Sequence, residues 1–274
     1  MAIRAVYLDW NRTILEDPDE KPLFGRIAKN LLVESLYPTG RVRKEHRKCR
    51  FFGLLRDIRR MRGMYEKVVA DGGLEDDAIR AVYEEFNRCI ADGMPLWFLR
   101  NCINEYAQDA AKRLDRRVLD EMKAARSHGQ NSVRAVIIGP SSAYEGGIRQ
   151  VLSASGDAGV VDRYIANQME KTEDGTRLKG FRLDVLDPES KKTALEADIQ
   201  MRGLEPKEVG YMGDNYRDAS ILHFLAEHHG LPMVSLMATD DFKQEMAKTY
   251  DSHVVVLEKP SDIRSALRSR SLRR

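Results

Sequence analysis

Six short apolar runs, separated by stretches long enough for a helix or more, constrain this 274-residue chain more than any other feature. They are Ala5 to Asp9, Val133 to Gly139, Arg163 to Asn167, Val209 to Gly213, Met233 to Met237 and Val254 to Leu257. Near-continuous apolar runs of this length belong to strands covered on both faces, which is the habit of parallel sheets. Strands alternating with helices then imply right-handed crossovers in an α/β fold. The rhythm breaks once. From about Leu23 to Arg126 apolar residues recur at three and four spacing, as at Ile27, Leu31, Leu32 and Leu36 and again at Ile79, Val82, Tyr83 and Phe86. Pro38-Thr39-Gly40, Gly72-Gly73 and Gly93-Met94-Pro95 divide that block into several helices. The expected organisation is a core of residues 1–16 and 130–274 and a helical unit of residues 17–129 inserted after the first strand.

The core pattern predicts further detail. Residues 17–22 read as a loop, Ser141 to Leu152 as a helix, and Glu173-Asp174-Gly175 as a hairpin turn. A helix is expected from Ser190 to Arg202, with Ser190 as N-cap and Gly203 at its end, and another from Ala219 to His228. The basic tail from Arg264 to Arg274 reads as a solvated end.

Composition bounds the class. At 42% hydrophobic residues the chain can bury a core, and no apolar stretch approaches the roughly 20 residues of a membrane span. The N-terminus has no signal-peptide pattern. Cys49, Cys89 and Cys102 form no metal-like or redox-like pair, and an odd count fits a reducing compartment. The expectation is a cytoplasmic protein without membrane association. The sequence carries no signal for an oligomeric state.

Two strand ends carry chemistry. The first strand stops at Asp9, followed by Trp10-Asn11-Arg12-Thr13, and ligands in open α/β sheets bind beyond the carboxyl ends of strands. An Asp that merely closes a turn is the plain alternative. After the fourth strand comes Gly213-Asp214-Asn215-Tyr216-Arg217-Asp218. Two carboxylates at one strand end are costly unless a cation compensates them, and hard oxygen ligands suit Mg²⁺. Capping by Asp218 and turn closure by Asp214 are the alternative there. Lys191-Lys192 opens a helix 23 residues before Asp214, where a lysine offers a point charge for phosphate or stays in solvent.

The order of these pieces resembles the haloacid dehalogenase-like (HAD) superfamily. Its first motif, Asp-x-Asp-x-Thr, stands here as Asp9-Trp10-Asn11-Arg12-Thr13. Lys191-Lys192-Thr193-Ala194-Leu195 and Val209-Gly210-Tyr211-Met212-Gly213-Asp214 look like its phosphoserine phosphatase branch, as do Ile165-Ala166-Asn167, Asp174-Gly175 and Lys179-Gly180. The resemblance covers residues 1–16 and about 130–262; the insertion matches in position only. It implies a Rossmann-like core with a parallel sheet and a helical cap. It also implies that Asp9 forms an aspartyl-phosphate and that Mg²⁺ is held by Asp9, Asp214 and the backbone carbonyl of Asn11, with Asp218 in support. Lys191 would bridge Asp9 and the phosphate, and Arg12 and Thr13 would lie beside it. A carboxylate attacks a phosphate dianion only where cations neutralise the accumulating charge.

Three positions depart from the family pattern. Residue 11 is Asn where the phosphatases carry the Asp that protonates the leaving group, help typically worth about 10²–10⁴-fold. Gly139 stands where a Ser or Thr is usual, so phosphate contact falls to Ser141, Ser142 or backbone amides. Arg12 stands where Gly is usual and adds positive charge. Dehalogenases of the superfamily also lack the second Asp but work without metal, so Asp214 and Asp218 favour phosphate chemistry.

The insertion holds a basic run: Arg41, Arg43, Lys44, Arg47, Lys48, Arg50, Arg56, Arg59, Arg60 and Arg62. It could steer an anionic substrate or meet nucleic acid, but with few aromatics nearby a solvated helix face paired to acidic neighbours is favoured. The six histidines show no metal spacing, and Trp97 and Phe98 read as packing before pocket. Two functions follow. One is a Mg²⁺-dependent phosphohydrolase or phosphotransferase acting on a small phosphorylated metabolite. The other is a catalytically weakened relative that binds a phosphorylated ligand or an acidic or nucleic-acid partner.

Overall fold

A computed structural model describes residues 2–16, 21–36, 51–70, 75–127, 133–250 and 253–272. Seven strands form one sheet: β1 (Ala5–Asp9), β2 (Arg134–Tyr144), β3 (Arg163–Lys171), β4 (Leu178–Arg182), β5 (Val209–Gly213), β6 (Leu231–Val234) and β7 (Val255–Val256). Their spatial order is β4-β3-β2-β1-β5-β6-β7, and every pairing is parallel except the β3–β4 hairpin at one edge. Strand β1 is central, with Tyr7 in register with Val136 on one side and Tyr211 on the other. All of β1 and β5 is buried, which explains why these strands read as unbroken apolar runs. From β1 the chain order departs in both directions, so the carboxyl ends of β1 and β5 border a crevice where the winding switches.

Between β1 and β2 stand α1 (Lys21–Leu36), α2 (Phe51–Ala70), α3 (Glu75–Phe86), α4 (Leu96–Ala110) and α5 (Arg116–Ser127), with a π-helical turn at Asn87–Ala91. The buried stripe of α1 is Leu23, Ile27 and Leu31, while Leu36 is exposed. The chain leaves and re-enters the core side by side. Leu15 bridges Leu114, Glu16 N donates to Arg113 O at 3.0 Å, and Asp115 N to Ile14 O at 2.7 Å. Beyond that neck α5 packs on the C-terminal helix, where Arg264 grips Glu121 through two bonds of 2.8 and 2.9 Å. The inserted helices and one face of the sheet share a single apolar cluster.

The insertion also closes the open edge of β4. Asn87 donates its side-chain amide to Phe181 O and accepts from Phe181 N, both at 2.8 Å, so one side chain imitates a strand partner. Gly93 N bonds Leu178 O, Leu178 N bonds Met94 O, and Leu96 N bonds Thr176 O, at 2.8, 2.8 and 3.0 Å. An edge strand covered in this way offers no template for pairing with another chain. Phe181 is met from the insertion by Phe24 and Phe86 and from β2 by Tyr144, with the Phe24 and Tyr144 rings at right-angled edge contact.

The remaining helices are α6 (Glu145–Ser155), α7 (Pro188–Met201), α8 (Ala219–Glu227), α9 (Asp240–Tyr250) and α10 (Ser261–Leu272). Several boundaries differ from the sequence expectation. Strand β2 continues past Gly139 to Tyr144, so the helix expected from Ser141 begins at Glu145 instead. Pro140 keeps its predecessor extended and removes a ladder donor, and the pairing with β3 shifts register there rather than ending. The N-cap of α7 is Asp187, not Ser190. Pro188 fits the first helical position, and Ser190 is the reciprocal partner that accepts from the Asp187 N–H. The hairpin turn falls where expected, with Gly175 at φ +65°, but β3 runs on to Lys171 and β4 is an added strand. The expected loop ends at residue 20 because α1 starts at Lys21, and residues 17–20 lie outside the described residues.

Candidate active site

Asp9 ends β1 at 2% exposure, and the chain then folds back on itself. Ile14 N and Leu15 N both donate to Trp10 O, at 3.2 and 2.9 Å, and Arg12 N donates to Leu15 O. The reversal forces Arg12 to φ +52°, a left-handed conformation costly for a side-chain-bearing residue. Ser235, beyond β6, fastens the turn by donating its hydroxyl to Arg12 O at 3.1 Å and its N–H to Gly213 O at 2.7 Å. Asn11 and Thr13 are buried in the turn, and Asn11 Oδ1 and Thr13 Oγ1 have no hydrogen-bond partner among the described residues. The Arg12 side chain is exposed.

Asp214 and Asp218 come from the end of β5. A Cβ on Gly213 would lie 2.4 Å from Asp218 Oδ2, so the glycine is required by the Asp218 carboxylate pressed against it. Asp218 accepts from Asp214 N at 2.9 Å, from Tyr211 Oη at 2.6 Å and from Lys191 Nζ at 2.5 Å. Lys191 Nζ also donates to Asp9 Oδ1 at 2.8 Å. Thus residues 182 positions apart in sequence share one buried ion pair. Asn215 holds Asp214 Oδ1 at 2.9 Å and caps the turn that returns Asp218 to the site. Lys192, the other lysine of the pair, stays partly exposed beside Glu196.

The helix that delivers Lys191 is fixed two turns later. Buried Asp198 accepts from Tyr7 Oη at 2.7 Å and meets Arg202 at 2.9 Å and Arg163 at 3.0 Å. Tyr7 and Tyr211 are neighbours across β1 and β5, one serving Asp198 and the other Asp218. Neither tyrosine was recognisable from the sequence as part of the site. The available signal was a phenol within a fully buried strand, where its hydroxyl must find a partner.

Carboxylate oxygens of Asp9, Asp214 and Asp218 lie within 4.8 Å of one another, and no second such cluster of His, Cys, Asp and Glu exists among the described residues. Lys191 supplies one positive charge against three carboxylates. Burial pushes Asp9 well above the usual carboxylate range, with Asp218 and Asp214 adding to the rise and Lys191 opposing it. Burial and the Asp218 charge raise Asp214 to about 6. Burial alone would lower Lys191, but Asp218 and Asp9 outweigh it and hold the ammonium above its ordinary value. Tyr211 is likewise driven up by burial and by the same carboxylates, which fixes it as a donor. The surplus negative charge, the all-oxygen donor set and the orphaned Asn11 Oδ1 suit a hard divalent cation such as Mg²⁺.

The other sequence candidates divide. Ser141 and Ser142 lie on the extended part of β2 after Gly139, and their side chains fall outside the described portion. Trp97 and Phe98 stack edge to face at 6.0 Å against the apolar cluster, a packing role. Of the basic run, residues 41, 43, 44, 47, 48 and 50 lie outside the described residues. On α2, Arg56 faces Asp57, Arg60 contacts Asp57 and Glu85, and Arg62 pairs with Glu66, the solvated and acid-paired arrangement favoured from sequence. No helix among the described residues is long and apolar enough to cross a membrane.

No family model matches the chain, and neither does any curated protein sequence. Solved structures do match. A phosphoserine phosphatase with substrate bound superposes with a TM-score of 0.51 at 15% identity, over 98% of this chain and 99% of that one. A probable phosphoserine phosphatase from Vibrio cholerae, unliganded, gives 0.56 at 11% identity over 97% of this chain and 65% of that one. A HAD family hydrolase from Salmonella enterica serovar Typhi gives 0.51 at 14% identity over 89% and 65%. The chain has the haloacid dehalogenase-like fold. What it shares with these HAD structures at such identities is backbone, so the chemistry of the site is read from its own side chains.

Proposed function

We propose that the protein is a Mg²⁺-dependent phosphohydrolase or phosphotransferase acting on a small phosphorylated metabolite. The observation that carries this reading is the buried constellation of Asp9, Asp214 and Asp218 with Lys191 bonded to two of them at the carboxyl ends of β1 and β5. In this reading Asp9 is the nucleophile. Lys191 holds the Asp9 carboxylate in place and partners the phosphoryl charge, while Tyr211 and the Asp214 N–H occupy Asp218 so that it orients Lys191. Asp9, Asp214 and the Asn11 backbone carbonyl would hold the cation, with Asp218 behind them; when bound it neutralises charge gathering on the phosphoryl oxygens. In the same reading Arg12, Thr13, Ser141 and Ser142 would contact the phosphate.

Of the expected insertion 17–129, the part between the neck residues Glu16 and Arg113 serves as the cap that selects the substrate and excludes water, while α5 belongs with the core. Buried, unpaired Cys89 and Cys102 support a reducing, cytoplasmic setting. A second reading, a binding protein with weakened catalysis, is favoured by one observation: the buried side chain two residues after Asp9 is the amide Asn11.

The test is phosphate release from p-nitrophenyl phosphate and a panel of small phosphorylated metabolites. Turnover that requires Mg²⁺ and falls at least about 10³-fold in Asp9→Asn is expected of the enzyme. Tight binding of a panel member by a folded protein with no turnover selects the second reading.

A further inference from the structure

Among the described residues, the surroundings of Asp9 hold a nucleophile and a positive charge but no free acid. Lys191 is locked between Asp9 and Asp218, and the Tyr211 hydroxyl is committed to Asp218. Asp218 is engaged by three donors, Lys191 Nζ, Tyr211 Oη and the Asp214 N–H, and faces them rather than a leaving group. Asp214 belongs to the carboxylate cluster assigned to the cation, and Asn215 holds its Oδ1 at 2.9 Å. That leaves the two side chains of the turn after β1, Asn11 and Thr13, an amide and an aliphatic hydroxyl. Neither transfers a proton near neutral pH. An amide N–H can hydrogen-bond a departing oxygen without protonating it, and the orphaned Asn11 Oδ1 can accept from an attacking water without deprotonating it.

We infer that the site takes phosphoryl donors whose leaving group departs as a stable anion, acyl phosphates and phosphoanhydrides, in preference to phosphate esters of aliphatic alcohols. The inference rests on the reading of Asp9 as nucleophile. In the first step an Asp9 carboxylate oxygen bonds to phosphorus, and the bond from phosphorus to the leaving oxygen breaks. The electron pair leaves with that oxygen as a carboxylate or phosphate anion, which needs no proton. An alkyl ester would have to release an alkoxide, a far stronger base. In the second step water attacks the aspartyl phosphorus and its proton passes to solvent. Inorganic phosphate departs, and the Asp9 carboxylate re-forms. With no base to assist, this step is slow and the phosphorylated protein accumulates.

The experiment compares acetyl phosphate, 2,4-dinitrophenyl phosphate and ethyl phosphate, each with Mg²⁺, on wild type, Asn11→Asp and Asp9→Asn. Acid-quenched intact mass reads the covalent phosphoryl group, and a phosphate assay reads turnover. Wild type is expected to gain a phosphoryl group from the first two donors, absent in Asp9→Asn, and to ignore ethyl phosphate. Asn11→Asp should raise turnover of ethyl phosphate by about 10²–10⁴-fold and shorten the life of the phosphorylated protein. Wild-type turnover of ethyl phosphate within about tenfold of acetyl phosphate, or an unchanged ratio in Asn11→Asp, overturns the inference and leaves the phosphatase reading standing. A wild type inert to acetyl phosphate beside an active Asn11→Asp also overturns it and selects the binding protein. Inertness of wild type and Asn11→Asp alike toward all three donors overturns the phosphatase reading and the inference with it.

Discussion

Arg12 shows how the turn after β1 trades backbone comfort for charge. Its φ of +52° suits glycine, yet the side chain carries a guanidinium into solvent three residues after Asp9. Arg12→Gly should raise stability by up to about 1 kcal/mol in urea unfolding and weaken binding of a phosphorylated ligand. A variant that is less stable would mean the turn holds its shape for another reason. Gly213 is the opposite case. A methyl group there strikes Asp218, so Gly213→Ala should cost about 1–3 kcal/mol and lower Mg²⁺ affinity in a calorimetric titration. At this scale the sequence was most legible where a residue's chemistry is out of place. Asp9 closing an apolar strand, and Asp214 and Asp218 after Gly213, could be read without coordinates. Tyr211 could not, because a tyrosine in a strand satisfies the hydrophobic pattern whether or not its hydroxyl has work to do.

Helix α7 is the element on which the site depends most. Its Lys191 reaches Asp9 and Asp218, and Asp198 on the same face anchors it to Tyr7 of β1 and to Arg163 and Arg202. Asp198→Ala strands a buried tyrosine hydroxyl and the mostly buried Arg202, and should destabilise by about 3–5 kcal/mol. Tyr7→Phe removes one hydrogen bond and should cost about 1 kcal/mol. Equal losses in the two variants on chemical unfolding would contradict this division of roles. Neither link was visible in the sequence, since Tyr7 and Asp198 are 191 residues apart and each has an ordinary local reading. Strand β4 was missed for a related reason. Its Lys179 and Gly180 break the apolar pattern, and it is held between its hairpin partner β3 and, on the other edge, the insertion through Asn87 and residues 93–96. By contrast β1 and β5 needed no partner information, because burial on both faces is written into their own composition.

At the scale of the whole molecule, a cation held by the acidic cluster would make stability depend on pH and metal together. Asp214 titrates near 6 in the folded protein against an ordinary value of 3.8, so between those values the folded state binds more protons than the unfolded one. Stability of the metal-free protein from this group is therefore fully present below about 4 and is lost as pH rises through about 6. Mg²⁺ should reverse the loss, shifting the thermal midpoint more at pH about 7.5 than at pH about 5. An equal shift at both values would remove Asp214 from the binding site. The neck of the insertion has a different kind of consequence. Because Glu16 and Arg113 are hydrogen-bonded neighbours, the sheet experiences everything between them as a single closed loop. Loop-closure entropy grows only with the logarithm of length, about 0.6 kcal/mol per doubling. The core can thus accept a longer, shorter or rebuilt insertion at that point with little change in its own folding free energy, provided the replacement still covers the apolar face it shares with the sheet.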